Sequence, residues 1–197
     1  MTATERKTKI AEITRGNYFS TDGKGKRIRY SGDVKTFIEY EIPMDLIIYN
    51  VENGRIASLV KSYEREHSSL NPEKEEDAKQ IAQFLYDSND TANKKTRKNI
   101  IENGQLETGI ITCDGVLVDG NRRVSLMRQI LEDSSLSPAE RARCEKFRAI
   151  VLPEDADKKE ILRLETTFQM GADEKVGYNP IEKYLHAQDL ADQGFST

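Results

Sequence analysis

The stretch Gly109 to Leu131, GIITCDGVLVDGNRRVSLMRQIL, constrains the fold more than any other part of the chain. Its first half alternates apolar residues around Asp114-Gly115, a dipeptide suited to the two positive-φ positions of a type I′ hairpin. That pattern predicts two short strands, the second over Val116 to Val118. Asp119-Gly120-Asn121 then breaks the strand, and Val124, Met127, Ile130 and Leu131 recur at helical spacing. At such a turn the first helical N–H groups lack internal partners and the helix dipole presents partial positive charge. Gly120 lets a ligand come close, and Arg122 and Arg123 add two forked cations. Two readings stay open on these residues alone: an anion site, with phosphate the usual occupant, or a glycine turn followed by solvated arginines.

The rest of the chain predicts interleaved short strands and helices. Residues 1 to 9 are polar and read as a frayed end, while Lys9 to Thr14 and Arg27 to Tyr30 read as strands about an Asp22-Gly23-Lys24-Gly25 turn. Thr36 to Glu41 alternates as another strand, ended by Pro43. Asn71-Pro72 reads as a helix start, with Ala78, Ile81, Ala82, Phe84 and Leu85 on the apolar face as far as Tyr86. A second helix spans Thr91 to Asn103 and stops at Gly104; Ser137-Pro138-Ala139-Glu140 is a capping box opening a helix through Cys144. Phe147 to Leu152 reads as a strand, Asp157 to Phe168 as a helix, Gly171 to Gly177 as a charged loop, and Asn179-Pro180 as the cap of a last helix ending at Gly194. Strands and helices lack regular βαβ spacing, which predicts an α+β fold with a small mixed or antiparallel sheet flanked by helices.

Composition narrows the functional classes. Of 197 residues, 37% are hydrophobic and 32% charged, with no apolar run long enough for a bilayer and no signal-peptide pattern at the start. A cytoplasmic protein without membrane contact is the expectation. Cys113 and Cys144 lack metal spacing and read as reduced core residues; His67 and His186 are isolated, and Tyr63, Tyr86 and Tyr184 read as core-edge residues. The net charge of −4 argues against a surface that coats nucleic acid as a whole. Basic residues nevertheless cluster at Arg6, Lys7, Lys9, Arg15, Lys24, Lys26, Arg27 and Arg29, and again at Lys94, Lys95, Arg97 and Lys98. Each cluster reads as a solvated face or as a nucleic-acid stripe.

The DGNRR turn, in its strand-turn-helix setting, resembles the second box of the ParB/sulfiredoxin superfamily, where ParB proteins carry a Gly-Glu-Arg-Arg type sequence. Upstream, Ile42 to Arg55 is similar to the first box, an apolar segment ending in an Asn- and Arg-bearing loop, and Asn99 to Leu106 resembles the helix-glycine-strand step leading to the nucleotide site. Downstream, Leu164 to Gln169 followed by Tyr178 to Tyr184 is similar to the third box. The resemblance covers most of residues 40 to 190 and implies a division into an N-terminal extension (1–35), a ParB-like domain (36–194) and, from 195–197, the start of a further helical region. That last expectation rests on Phe195-Ser196-Thr197, an apolar residue and a capping residue after Gly194. It implies a DNA reader beyond Thr197.

By this resemblance the chain is a nucleotide-dependent switch that binds CTP or another NTP with Mg²⁺ in a DNA-associated protein, with a possible homodimer. Gly120, Asn121, Arg122 and Arg123 would meet the phosphates, Arg55 would close over them, Thr166 and Gln169 would face them, and Glu165 would hold Mg²⁺. Asn121 stands where ParB proteins usually have Glu, and Thr166 where they usually have Asn, so slow hydrolysis at most is expected. Position 121 also lacks the cysteine that sulfiredoxin chemistry requires. Two alternatives remain: a ParB-type nuclease or NTPase, which needs a metal–carboxylate cluster, and a phosphotransferase, for which Glu52 is the nearest base.

Overall fold

The computed structural model describes residues 1–16 and 25–173, with side chains through 169. The chain opens with α1 (Ala3–Arg15), then β1 (Lys26–Tyr30), β2 (Asp33–Phe37), β3 (Glu39–Pro43) and a single 3₁₀ turn, Met44–Leu46. Helices α2 (Ala57–Glu66), α3 (Glu75–Asp87) and α4 (Asp90–Asn103) follow. Next come β4 (Gly109–Ile111), β5 (Leu117–Asp119), α5 (Asn121–Glu132), α6 (Pro138–Ala142), β6 (Lys146–Val151) and α7 (Lys158–Asp173). The fold is α+β. β1 and β2 form a two-stranded ribbon, and the other strands make a mixed four-stranded sheet in the order β3-β6-β4-β5, with β6 and β4 parallel and the outer pairs antiparallel.

The period-two alternation of strand side chains divides the interior. Ile111, Leu117, Phe147 and Ala149 face a large core filled from α1 to α5 by residues such as Ile10, Val60, Leu85, Ile100 and Met127. Their strand neighbours Ile110, Val118 and Ile150 face a smaller core closed by Ile28 and Tyr30 of β1 and Leu164 of α7. The sheet is therefore covered on both sides, and the segment before residue 36 contributes to both cores. This sandwiching holds α7 beside the C-terminal end of β5, where α5 begins.

Several local expectations are corrected. Lys9 to Thr14 is helix, not strand, and residues 1 to 9 are not a frayed end: Thr2 and Glu5 form a capping box, the Thr2 hydroxyl accepting the Glu5 N–H at 3.2 Å and Glu5 accepting the Thr2 N–H at 2.8 Å. Arg6 is buried against Glu73 and the Asp114 carbonyl, and Ile10 is buried one turn later. The strand expected over Thr36 to Glu41 is two strands parted at Ile38, and Pro43 ends β3 within the sheet, tolerated because β3 is an edge strand. Asn71 makes a turn rather than the cap, its side chain accepting the Glu73 N–H at 2.9 Å, and α3 starts only at Glu75.

The β4–β5 turn is not type I′. Only Gly115 has positive φ (87°), its N–H donates to the Thr112 carbonyl at 3.0 Å, and a three-residue loop replaces the expected two-residue one. Cys113 consequently lies in the turn, half-buried, rather than in a strand, while Cys144 is buried just after α6 with its thiol pushed up to about 11 by burial. Helix α2 carries no expectation from the sequence reading, and Gly171 lies inside α7 rather than bounding a loop. Asn179, the last expected helix, Tyr184, His186 and the chain end lie outside the described residues.

Candidate functional site

β5 ends at Asp119, and Gly120 turns the chain into α5 with φ 114° and ψ 7°. A Cβ there would meet a disfavoured backbone conformation and lie 2.6 Å from Cζ of Phe147, so the turn requires glycine. α5 has no side-chain cap and no acidic residue in its first turn, whereas α3 begins with Glu75, Glu76 and Asp77. The positive end of the α5 dipole thus has no compensating charge within its own first turn.

Asn121 opens the helix and is only 3% exposed. Its Oδ1 accepts the backbone N–H of Asn50 at 2.9 Å, while its Nδ2 is buried with no hydrogen-bond partner among the described residues. An unsatisfied buried donor costs about 1–3 kcal/mol, and an acceptor oxygen is the group that relieves it.

Glu165, projecting from α7, ties the same loop from the other side. Its Oε1 accepts from Gln169 Nε2 at 2.7 Å, Asn53 Nδ2 at 3.2 Å and the Gly54 backbone N–H at 3.3 Å, and its Oε2 accepts from Asn50 Nδ2 at 3.1 Å. Burial pushes the carboxyl up to about 7 against the pull of the Gly54, Gln169 and Asn50 hydrogen bonds, and nearby Glu52 pushes it further up. The family resemblance assigns Mg²⁺ to Glu165. Its lone pairs instead face N–H donors, which present positive dipole ends where a cation would have to sit.

Asn50 and Asn53 shape the loop themselves: Asn50 Oδ1 accepts the Glu52 N–H at 2.9 Å and Asn53 Oδ1 the Arg55 N–H at 3.2 Å, turns that Asn side chains favour. Three segments far apart in sequence therefore meet: residues 50–54, the start of α5, and α7 at Glu165. Of the other expected site residues, Arg122 is half-buried in the first turn of α5 and Arg55 half-buried before α2. Gln169 joins the cluster through Glu165, while the Thr166 hydroxyl donates back to the Leu162 carbonyl at 2.7 Å within α7.

Arg123 is engaged elsewhere. Its Nη1 donates to the Glu107 carbonyl at 2.9 Å, and its Nη2 lies 3.5 Å from the Glu107 carboxylate and 4.0 Å from Asp119. Lys26 of β1 comes to the same place, donating to the Thr108 carbonyl at 2.5 Å and lying 4.4 Å over the Phe168 ring. Burial lowers its amine, Asp119 raises it and Arg123 lowers it. The sequence reads Lys26 only as part of a basic cluster, a solvated face or a nucleic-acid stripe, and gives no role to Asn50, Asn53 or Gly54; two asparagines three apart before a glycine are the available signal.

Among the described residues no group of three or more His, Cys, Asp or Glu side chains is arranged to hold a metal ion. An open groove of about 380 Å³ between the start of α1, the β4–β5 turn and the β6–α7 connection shares no residue with the cluster around Asn121. His67 is exposed and stacked on Tyr63, with ring centroids 4.2 Å apart, and no described helix is long and apolar enough to cross a membrane. In comparisons with known proteins, no family model, no curated protein and no solved structure matches this chain.

Proposed function

We propose that this chain is a ParB-like nucleotide-binding domain that takes the phosphates of CTP or another NTP at the start of α5 and acts as a switch in a DNA-associated protein. The observation that carries the reading is Asn121: it opens a glycine-led, uncapped helix, its Oδ1 holds the 50–54 loop, and its buried Nδ2 has no acceptor among the described residues. A phosphate oxygen supplies that acceptor and meets the dipole and the Arg122 guanidinium together. Because the loop is bound both to Asn121 and, through Glu165, to α7, a ligand at α5 shifts the balance between closed and open arrangements of all three segments. Arg55, at the end of that loop, is then the residue that closes over the phosphates. Mg²⁺ enters this reading as the companion of the triphosphate, not as an ion caged by carboxylates. A homodimer belongs to the same proposal. For the phosphotransferase alternative, Glu52 is an exposed loop residue, and no observation favours that reading or the nuclease.

Thermal unfolding with ATP, GTP, CTP and UTP, each with and without Mg²⁺, tests it. A ligand at a hundred times its Kd stabilises the folded chain by about 2.7 kcal/mol. At least one triphosphate should raise Tm, and Asn121→Asp should abolish the shift, because it keeps the acceptor for Asn50 and replaces the Nδ2 donor by negative charge. No shift with any of the four would overturn the reading.

A further inference from the structure

The structure treats the two basic clusters of the chain differently. On α4, Lys94 pairs with Asp90 at 2.7 Å, Lys98 lies 3.7 Å from Glu102, and Arg97 pairs with Asp133 at the end of α5. Three of the four cations of that cluster are thus paired, Lys95 being the exception among the described residues. On the β1–β2 ribbon, Arg27, Arg29 and Lys35 make no ion pair with any carboxylate among the described residues. Arg29 Nε donates only to the Gly32 carbonyl at 3.2 Å, and Lys35 lies 5.1 Å over the Tyr30 ring.

The ribbon is held rigidly from one side. Ser31 and Gly32 form its two-residue turn with φ of 51° and 87°, and the Ser31 N–H donates to Glu160 of α7 at 2.8 Å. Arg163 donates to the Arg29 carbonyl, and Ile28 and Tyr30 are buried in the smaller core. The register sets Arg27 opposite Thr36 and Arg29 opposite Val34, and all four are exposed on the outer face. No acidic side chain shares that face; Asp33, opposite Tyr30, belongs to the other.

We propose that the outer face of the β1–β2 ribbon binds the sugar–phosphate backbone of duplex DNA, with Arg27 and Arg29 as the phosphate contacts. This surface is separate from the start of α5 and stands whether or not a nucleotide binds there. Charge complementarity carries the argument. In a chain of net charge −4, Arg27 and Arg29 stand two residues apart on one exposed face of the ribbon, and neither is paired with a carboxylate among the described residues. Two residues along a strand place the arginines about 6.7 Å apart on one side, the scale on which phosphates follow each other along a nucleic acid strand. The guanidinium fork suits phosphate better than an ammonium does, and a two-stranded ribbon is a shape that a DNA groove accommodates. With both arginines assigned to phosphates, which carry no sequence information, the binding is to the backbone.

Fluorescence anisotropy of the full chain with a short labelled duplex of arbitrary sequence, at two salt concentrations, tests the proposal. Each phosphate contact contributes about 0.9 to the slope of log K against log salt, so two contacts weaken binding about twelvefold over a fourfold rise in salt. The R27A/R29A double variant should lose that dependence and bind at least about tenfold more weakly at low salt. R27K/R29K, which keeps the charge, should retain most of the binding, and K94A/K98A on α4 should stay within about twofold of the parent, as exposed paired charges contribute little. Parent-like binding by R27A/R29A, an equal loss in K94A/K98A, or no salt-dependent binding by the parent would each overturn it. Binding to phosphatidylserine vesicles as tight as to duplex, lost in the same arginine variant, would also overturn it and assign the face to a lipid surface.

Discussion

Helices α6 and α5 solve the same problem at their N-termini in opposite ways. At α6 the Ser137 hydroxyl accepts the Glu140 N–H at 3.3 Å while Glu140 accepts the Ser137 N–H at 2.8 Å, so four consecutive residues satisfy each other. α5 starts on a glycine, without cap or acid, and Asn121 is engaged by Asn50 from another segment, which Glu165 from a third then holds. The local solution is complete and indifferent to ligands. The long-range one leaves an amide donor buried without a partner among the described residues, and that difference marks α5 as the place where an outside acceptor changes the energy.

The largest effect should come from breaking the α5 turn itself. Gly120→Ala meets both a positive φ and the Phe147 ring, and strain plus overpacking should cost about 4 kcal/mol. Urea denaturation measures it; a loss under about 1 kcal/mol would mean that the turn relaxes easily.

Next in size is the pH dependence of the hub. The Glu165 carboxyl rises from its ordinary 4.5 to about 7 in the folded chain, so the proton is held more tightly there than in the unfolded chain. Its stabilising effect is complete below about pH 4.5 and is lost as pH rises through about 7. The difference is about 3 kcal/mol. Glu165→Gln, which cannot ionise, should flatten this part of the stability–pH profile measured between pH 5 and pH 8. Identical profiles for the two proteins would remove Glu165 as its source.

A smaller effect separates the two arginines of the DGNRR turn. Arg122→Ala should weaken triphosphate binding by about 2 kcal/mol, the range of a charge-assisted hydrogen bond, whereas Arg123→Ala, already held by Glu107, should change it several-fold less. Titration calorimetry checks this, and equal losses in both variants would mean that Arg123 leaves Glu107 to meet the ligand. Smallest are the capped ends: Thr2→Ala and Ser137→Ala should each cost about 1 kcal/mol of stability and leave nucleotide affinity unchanged. A change in affinity in Ser137→Ala would break the contrast between local and long-range helix starts.

Legibility followed the range of the interactions. The Ser137 capping box and the strand into Gly120 and α5 could be read because their causes lie within a few residues. Thr2 and Glu5 form a box just as local, but the polar composition of residues 1 to 9 predicts a frayed end, and only the burial of Arg6 and Ile10 shows that the segment is held. The capping role expected of Asn71 failed because its side chain serves the turn before α3. At the site, Gly120 and the neighbouring residues could be nominated by spacing, but no sequence pattern reports that Arg123 turns to Glu107 and Lys26 to Thr108, since both carbonyl partners belong to the connection before β4.

By itself the sequence determined the periodicities: strands that alternate between two cores, helices with one apolar face, and a glycine-led start to α5. It also determined which side chains could carry charge. Tertiary structure decided which of those charges are cancelled. Lys94 and Lys98 meet carboxylates one helical turn away within α4, but Arg97 meets Asp133 only because α4 packs beside α5, and Arg27 and Arg29 face outward, unpaired with acids among the described residues, because the burial of Ile28 and Tyr30 turns alternate residues of β1 away from the smaller core. It likewise decided that Glu165 is a buried acceptor and not a surface carboxylate. Packing α7 across the sheet removes that side chain from water and leaves amide N–H groups as its hydrogen-bond partners.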